Sequence, residues 1–120
     1  MPMPLIANLV VALVALLHVW FLVLEMFLWT RPSGRRAFGL SEEFAKQSKV
    51  LAANQGLYNG FLAAGLAWGL WLGASGRPVT LFFLGCILVA GVFGGLTATR
   101  KVLWIQALPA LLGIVLVLLA

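Results

Sequence analysis

The chain has 120 residues, of which 63% are hydrophobic and only 9% charged, against about 25% charged in an ordinary soluble domain. With 8 basic and 3 acidic side chains and a mean hydropathy of +1.11, it lacks the polar surface to cover a water-soluble fold, so lipid is the expected solvent. The net charge of +5 sits at the ends of apolar stretches rather than on a basic face interleaved with aromatics, which argues against nucleic acid as a partner.

In chain order, the first apolar stretch, MPMPLIANLVVALVALLHVWFLVLEMFLW, has no basic lead and no small-residue cleavage site after it. It is therefore expected to be a retained helix, about residues 4–29, rather than a secretion signal. Thr30 to Leu40 reads as a loop, broken by Pro32, Ser33 and Gly34 and kept in water by three arginines. Ser41 has the character of a helix N-cap, with Glu42 and Glu43 in the first turn, and Glu42 can pair with Lys46 four residues on. The second helix is expected over 41–73. At 1.5 Å per residue it is about 50 Å long, more than a bilayer core requires, so its start should project as a cytoplasmic stub. Ala74 to Pro78 forms a turn, the third helix is expected over 79–98, Arg100 and Lys101 mark a short turn, and the fourth covers 102–120 with Pro109 inside it.

Four spans joined by short connections give an all-α integral membrane fold: a single antiparallel four-helix transmembrane bundle over residues 1–120. Arg31, Arg35, Arg36, Lys46 and Lys49 follow the first span, Arg100 and Lys101 follow the third, and only Arg77 follows the second. The positive-inside rule then puts the first and third connections in the cytoplasm and both termini on the periplasmic or extracellular side of an inner (plasma) membrane. Trp29 and Trp104 fall at the inner interface, and Trp68 and Trp71 at the outer one. Gly56 and Gly60, Gly65, Gly69 and Gly73, and Gly91 and Gly95 form rows of small residues that permit close helix contacts, within one chain or between chains. Cys86, the single cysteine, reads as a small buried hydrophobe, and no metal-ligand spacing is present.

Polar side chains inside a membrane helix are costly and usually face protein or water. On the first helix His18 and Glu25 are seven residues apart, nearly two turns, so they share a face about 10 Å apart. On the second, Asn54, Gln55, Tyr58 and Asn59 make a polar arc about 140° wide. Gln106 lies one turn before Pro109 on the fourth, and Arg100 lies at the inner rim. With the orientation above, all of these fall in the cytoplasmic half, while the outer half of each helix is almost wholly apolar. The expectation is a binding pocket there for a lipid-like or amphipathic small molecule, with membrane lipids as neighbours. Each of these residues can also be read more plainly, as interhelical glue or a rim ion pair. A His with a Glu can in addition move protons, which leaves catalysis open. The alternatives are a small transporter or channel subunit, which needs a continuous polar path, and a non-catalytic membrane scaffold.

Through LHVWFLVLEMFLW, KVLAANQGLYNGFLAAGLAWGL and RKVLWIQALPALLG the chain resembles, over essentially its whole length, a family of small four-span bacterial inner-membrane proteins carrying a domain of unknown function. More distantly, Asn54, Asn59 and the stretch Gln106-Ala107-Leu108-Pro109 resemble the membrane-associated proteins in eicosanoid and glutathione metabolism. That second resemblance implies four spans in the same orientation and a homo-oligomer, a trimer with the site between subunits; a dimer is the other assembly expected. It departs at Gln55, Gly56 and Tyr58, where that group usually carries Arg and Glu, so glutathione chemistry does not carry over.

Overall fold

In a computed structural model, which describes residues 3–120, the chain is helical, with no strand among the described residues. The α-helices are α1 (Met3–Met26), α2 (Pro32–Phe38), α3 (Glu42–Trp71), α4 (Arg77–Thr97) and α5 (Leu108–Leu119). A 3-10 turn, Gly73–Gly76, joins α3 to α4, and a π-helical segment, Leu103–Ala107, runs directly into α5. Two helical stretches, Pro4–Met26 and Gly73–Thr97, are long and apolar enough to span a membrane, and Leu103–Leu119 is apolar but shorter.

The boundaries depart from the sequence expectation at several points; α4, for one, begins at Arg77 with Pro78 in its first turn rather than at 79. α1 ends at Met26 rather than near residue 29, and the expected loop contains α2. Pro32 does not break that helix; it occupies the first turn, where a missing N–H is no loss. Gly34 is buried because the chain folds back onto the end of α1: a Cβ there would collide with the Leu28 carbonyl. α2 stops at Gly39, whose left-handed φ of 66° lets the Leu40 N–H donate to the Arg35 carbonyl. α3 ends at Trp71, and Gly73, again at φ 66°, turns the chain into the 3-10 segment. The π-helical stretch precedes Pro109, which has no N–H to offer the Ile105 carbonyl; the Leu108 N–H donates instead to Leu103, one residue further back than in an α-helix. The start of α3 follows expectation. The Phe44 N–H donates to Ser41 Oγ at 3.2 Å, and Lys46 pairs with Glu42 at 3.3 Å. The cap is the stronger of the two, since an exposed ion pair contributes only a few tenths of a kcal/mol, about 0.3–0.5.

The helices divide into two compact units: Leu16–Ala63, and the described part of Met1–Ala15 with Ala64–Ala120. In the unit Leu16–Ala63, α3 buries a seam of small residues, Ala45, Ala52, Gly56 and Ala63. At Gly56 a Cβ would lie 2.5 Å from Met26 Cγ and 3.2 Å from both Glu25 Cβ and the Leu22 carbonyl; at Gly60 it would lie 2.8 Å from Leu22 Cδ1. Residue number falls along α1 as it rises along α3, so the two helices run antiparallel in close contact. Below them Trp29 Nε1 donates to Ser48 Oγ at 3.0 Å, and the Trp29 ring packs on Phe38 of α2 at 4.9 Å.

In the other unit, Gly65 faces Phe83 and Gly69 faces Thr80, which sets α3 against α4. Gly91 faces Ala107, Gly95 faces Leu103 and Gly113 faces Leu84, so the π segment and α5 run antiparallel to α4. Leu66, Leu84 and Ile87 are fully buried at its centre. The small-residue rows thus serve contacts within the chain, except at Gly73, where a Cβ would have nothing within 4 Å. One end of this unit gathers the start of α1, the end of α3, the start of α4 and the end of α5 around a cavity. There Arg77 Nη2 donates to the Leu118 carbonyl at 3.3 Å.

Candidate functional site

In the unit Leu16–Ala63 the polar residues sort by the face they occupy. The seam of α3 defines its inward direction. At 100° per residue, Asn59 lies about 60° from Gly56, Gln55 about 100°, and Asn54 and Tyr58 about 160°. The side chains follow that geometry. Half-buried Asn59 turns toward α1, where its Nδ2 donates to Glu25 Oε1. Tyr58 is 52% exposed and packs its ring against Phe61 of its own helix, with centroids 6.3 Å apart. Asn54 is exposed, and its Nδ2 donates back to the Val50 carbonyl at 2.9 Å, the local bond that a short amide makes on a helix surface. Gln55 is exposed as well.

On α1, Glu25 is half-buried and His18 is completely buried. The imidazole stands edge-on to Phe21, with centroids 5.2 Å apart and an interplanar angle of 73°. Leu22 and Met26, which flank Glu25 on its face of the helix, carry the contact with Gly56 and Gly60. The absence of side chains at those two glycines is what brings a carboxylate on one helix within reach of an amide on the other. Of the polar residues expected to gather, Glu25 and Asn59 are joined here by a hydrogen bond, and His18 lies seven residues, about 10 Å, away along α1.

Arg100 and Gln106 belong to the other unit. Arg100 is exposed at the turn after α4, where its carbonyl accepts the Leu103 N–H at 3.0 Å. Gln106 is half-buried within the π segment, the part of the helix widened ahead of Pro109. Leu22, Gly56 and Gly60 were not among the expected site residues, although the Gly56–Gly60 spacing already marked a close helix approach.

A family profile matches residues 12–118, most of the chain. The protein belongs to the family described as "Protein of unknown function (DUF1304)". All of α3, α4 and the π segment fall inside the match, together with Glu25, Asn59 and His18. The chain is also similar to "Uncharacterized protein YpaA" of Lactococcus lactis subsp. lactis (strain IL1403), 29% identical over 105 residues that cover 86% of this chain and 88% of that one. No solved structure matches it.

Chemically, Glu25 and Asn59 form a charge-capable acceptor held by an amide donor in a setting built from Leu, Met and Gly. A carboxylate fixed in this way keeps lone pairs for a further donor, and the amide keeps one N–H and its carbonyl.

Proposed function

We propose that this DUF1304 protein is a multi-span inner-membrane protein that holds the polar end of an amphipathic small molecule at Glu25 and Asn59. The observation that carries the reading is the hydrogen bond between those two side chains, which joins two helices across 34 positions of sequence. A carboxyl group on an apolar helix is expensive in lipid and is retained where it has work to do. The apolar residues along the outer faces of the helices would meet the ligand's tail and the surrounding lipid. Val50, Leu51, Trp71, Phe93, Leu96 and Trp104 are each at least 66% exposed, an apolar surface that water does not favour. Asn54, Gln55 and Tyr58 point away from the small-residue seam. In lipid such a face calls for protein cover, and a second copy of the chain, in a dimer or trimer, supplies it.

The test is the ligand content of the protein extracted with its native lipid and examined by mass spectrometry. A discrete amphiphile should accompany the wild type and fall about tenfold in Glu25→Gln and Asn59→Ala, the scale of one charge-assisted hydrogen bond. Unchanged content with lowered thermal stability would make the pair structural glue and the protein a scaffold.

Orientation has its own measurement. With the charge asymmetry above, the first and third connections are cytoplasmic and both chain ends lie outside. In a Cys86→Ser background, a cysteine at Arg36 should react with an impermeant maleimide only in inverted vesicles. A cysteine at exposed Ser75 should react only in intact spheroplasts. The reverse pattern would place the Glu25–Asn59 pair in the outer half.

A further inference from the structure

A second site is built into the other unit, at the end where α1 begins and α5 finishes. A cavity of about 340 Å³ opens there, at the small end of the range of ligand pockets, about 300–1,000 Å³. Its walls include Ala7 and Leu70, with Val117 beside them. Three polar groups line it: Asn8, Arg77 and Thr80. No Asp or Glu does.

Thr80 is the unusual member. It is only 5% exposed, and its hydroxyl makes no hydrogen bond among the described residues. A threonine on a helix commonly donates to the carbonyl four residues back, as Thr97 does to Phe93 at 2.7 Å. Thr80 Oγ1 instead points at Gly69, another lining residue, where any Cβ would collide with it. That hydroxyl belongs to the cavity wall, where it can donate to a bound acceptor. Arg77 has five N–H donors and uses one on the Leu118 carbonyl, so its fork remains free to meet an oxyanion. The Asn8 amide adds a donor from α1.

We infer that this cavity binds the oxyanion head of a singly charged anionic amphiphile, with Arg77 as its counter-charge and Thr80 and Asn8 as hydrogen-bond donors. A cationic head is disfavoured, because the lining carries the Arg77 guanidinium and no acidic side chain among the described residues. The volume accommodates a head and its first carbons, so a longer tail would leave along the apolar helix faces. A phospholipid phosphate and a free fatty carboxylate share this chemistry.

The experiment uses the full chain in dodecyl maltoside, titrated in separate arms with dioleoylphosphatidylglycerol, dioleoylphosphatidylcholine and decanoate. Binding of the lipids is read by native mass spectrometry and that of decanoate by calorimetry. At least one anionic probe should bind about fivefold or more tightly than the zwitterionic lipid. Preference for phosphatidylglycerol alone assigns a lipid headgroup; tight decanoate binding assigns a free carboxylate. Arg77→Gln should abolish the preference, and Thr80→Val, which keeps the shape, should weaken the anionic probe threefold to tenfold. Ala74→Phe, made on the exposed turn at the cavity wall, should block it without touching the core. Equal affinity for all three probes overturns the inference, and so does anion preference that survives both Thr80→Val and Ala74→Phe.

Discussion

Leucine at Gly91 should unfold the C-terminal helices, whereas leucine at Gly85, six residues earlier on the same helix, should stabilise them. Both changes bring the same gain in helix propensity, about 1 kcal/mol over glycine. The surroundings decide the outcome. At Gly85 a Cβ would have nothing within 4 Å. At Gly91 it would lie 2.6 Å from the Ala107 amide nitrogen, 2.8 Å from its Cα and 2.9 Å from its Cβ. Those are backbone atoms and the first side-chain atom of buried Ala107, so no flexible tip can swing aside. Overpacking a tight core costs about 1–3 kcal/mol and sometimes more, and a whole leucine against backbone belongs at or beyond the upper end. Denaturation by sodium dodecyl sulfate from dodecyl maltoside micelles, followed by helical circular dichroism, measures both. Gly91→Leu should lose at least about 3 kcal/mol, and Gly85→Leu should gain a few tenths to about 1. Equal behaviour of the two variants would mean that α4 and the π segment are not in contact at Gly91.

What the sequence made legible follows from the range of each interaction. The Ser41 cap and the Glu42–Lys46 pair are local, acting within one turn, and both stand as read. The helix α2 was hidden because Pro32 and Gly34 carry opposite meanings in isolation and in place. Each reads as a breaker, yet Pro32 fits a first turn and Gly34 is demanded by the Leu28 carbonyl, a contact no periodicity reveals. The polar arc on α3 is visible in the sequence as a set, without its inward member. The information was nevertheless present: Ala45, Ala52, Gly56 and Ala63 repeat at helical spacing, and Asn59 is the polar residue nearest that stripe. Asn54 and Tyr58 lie nearly opposite, and their exposure is the direct consequence. Thr80 is not legible in the sequence, because a lone hydroxyl in an apolar run normally satisfies itself on its own helix; only the structure shows that it faces Gly69.

The Glu25–Asn59 pair offers the sharper functional test, because stability and ligand binding respond differently to the same substitutions. Asn59→Ala removes the donor and leaves a half-buried carboxyl group on α1 without its partner. Leaving a buried polar group unmatched costs about 1–3 kcal/mol, more than the net worth of the bond itself. Glu25→Ala leaves the amide of Asn59 in the same position, with a similar loss. In the double variant neither orphan remains, so the two losses should not add. The cycle should return a coupling of about 1 kcal/mol or more, within the range for residues in direct contact. Coupling below about 0.5 kcal/mol, the scatter expected of independent sites, would mean that the two side chains do not interact in the folded protein. Glu25→Gln then separates architecture from function. A glutamine at 25 can still accept the Asn59 N–H, so denaturation should shift by less than about 1 kcal/mol, the scale of one neutral hydrogen bond. It cannot supply a carboxylate to a ligand, so the co-purifying amphiphile should still be lost. Loss of ligand with stability retained is the combination that a purely structural pair cannot produce, because glue that no longer matters to binding should release nothing when its charge alone is removed.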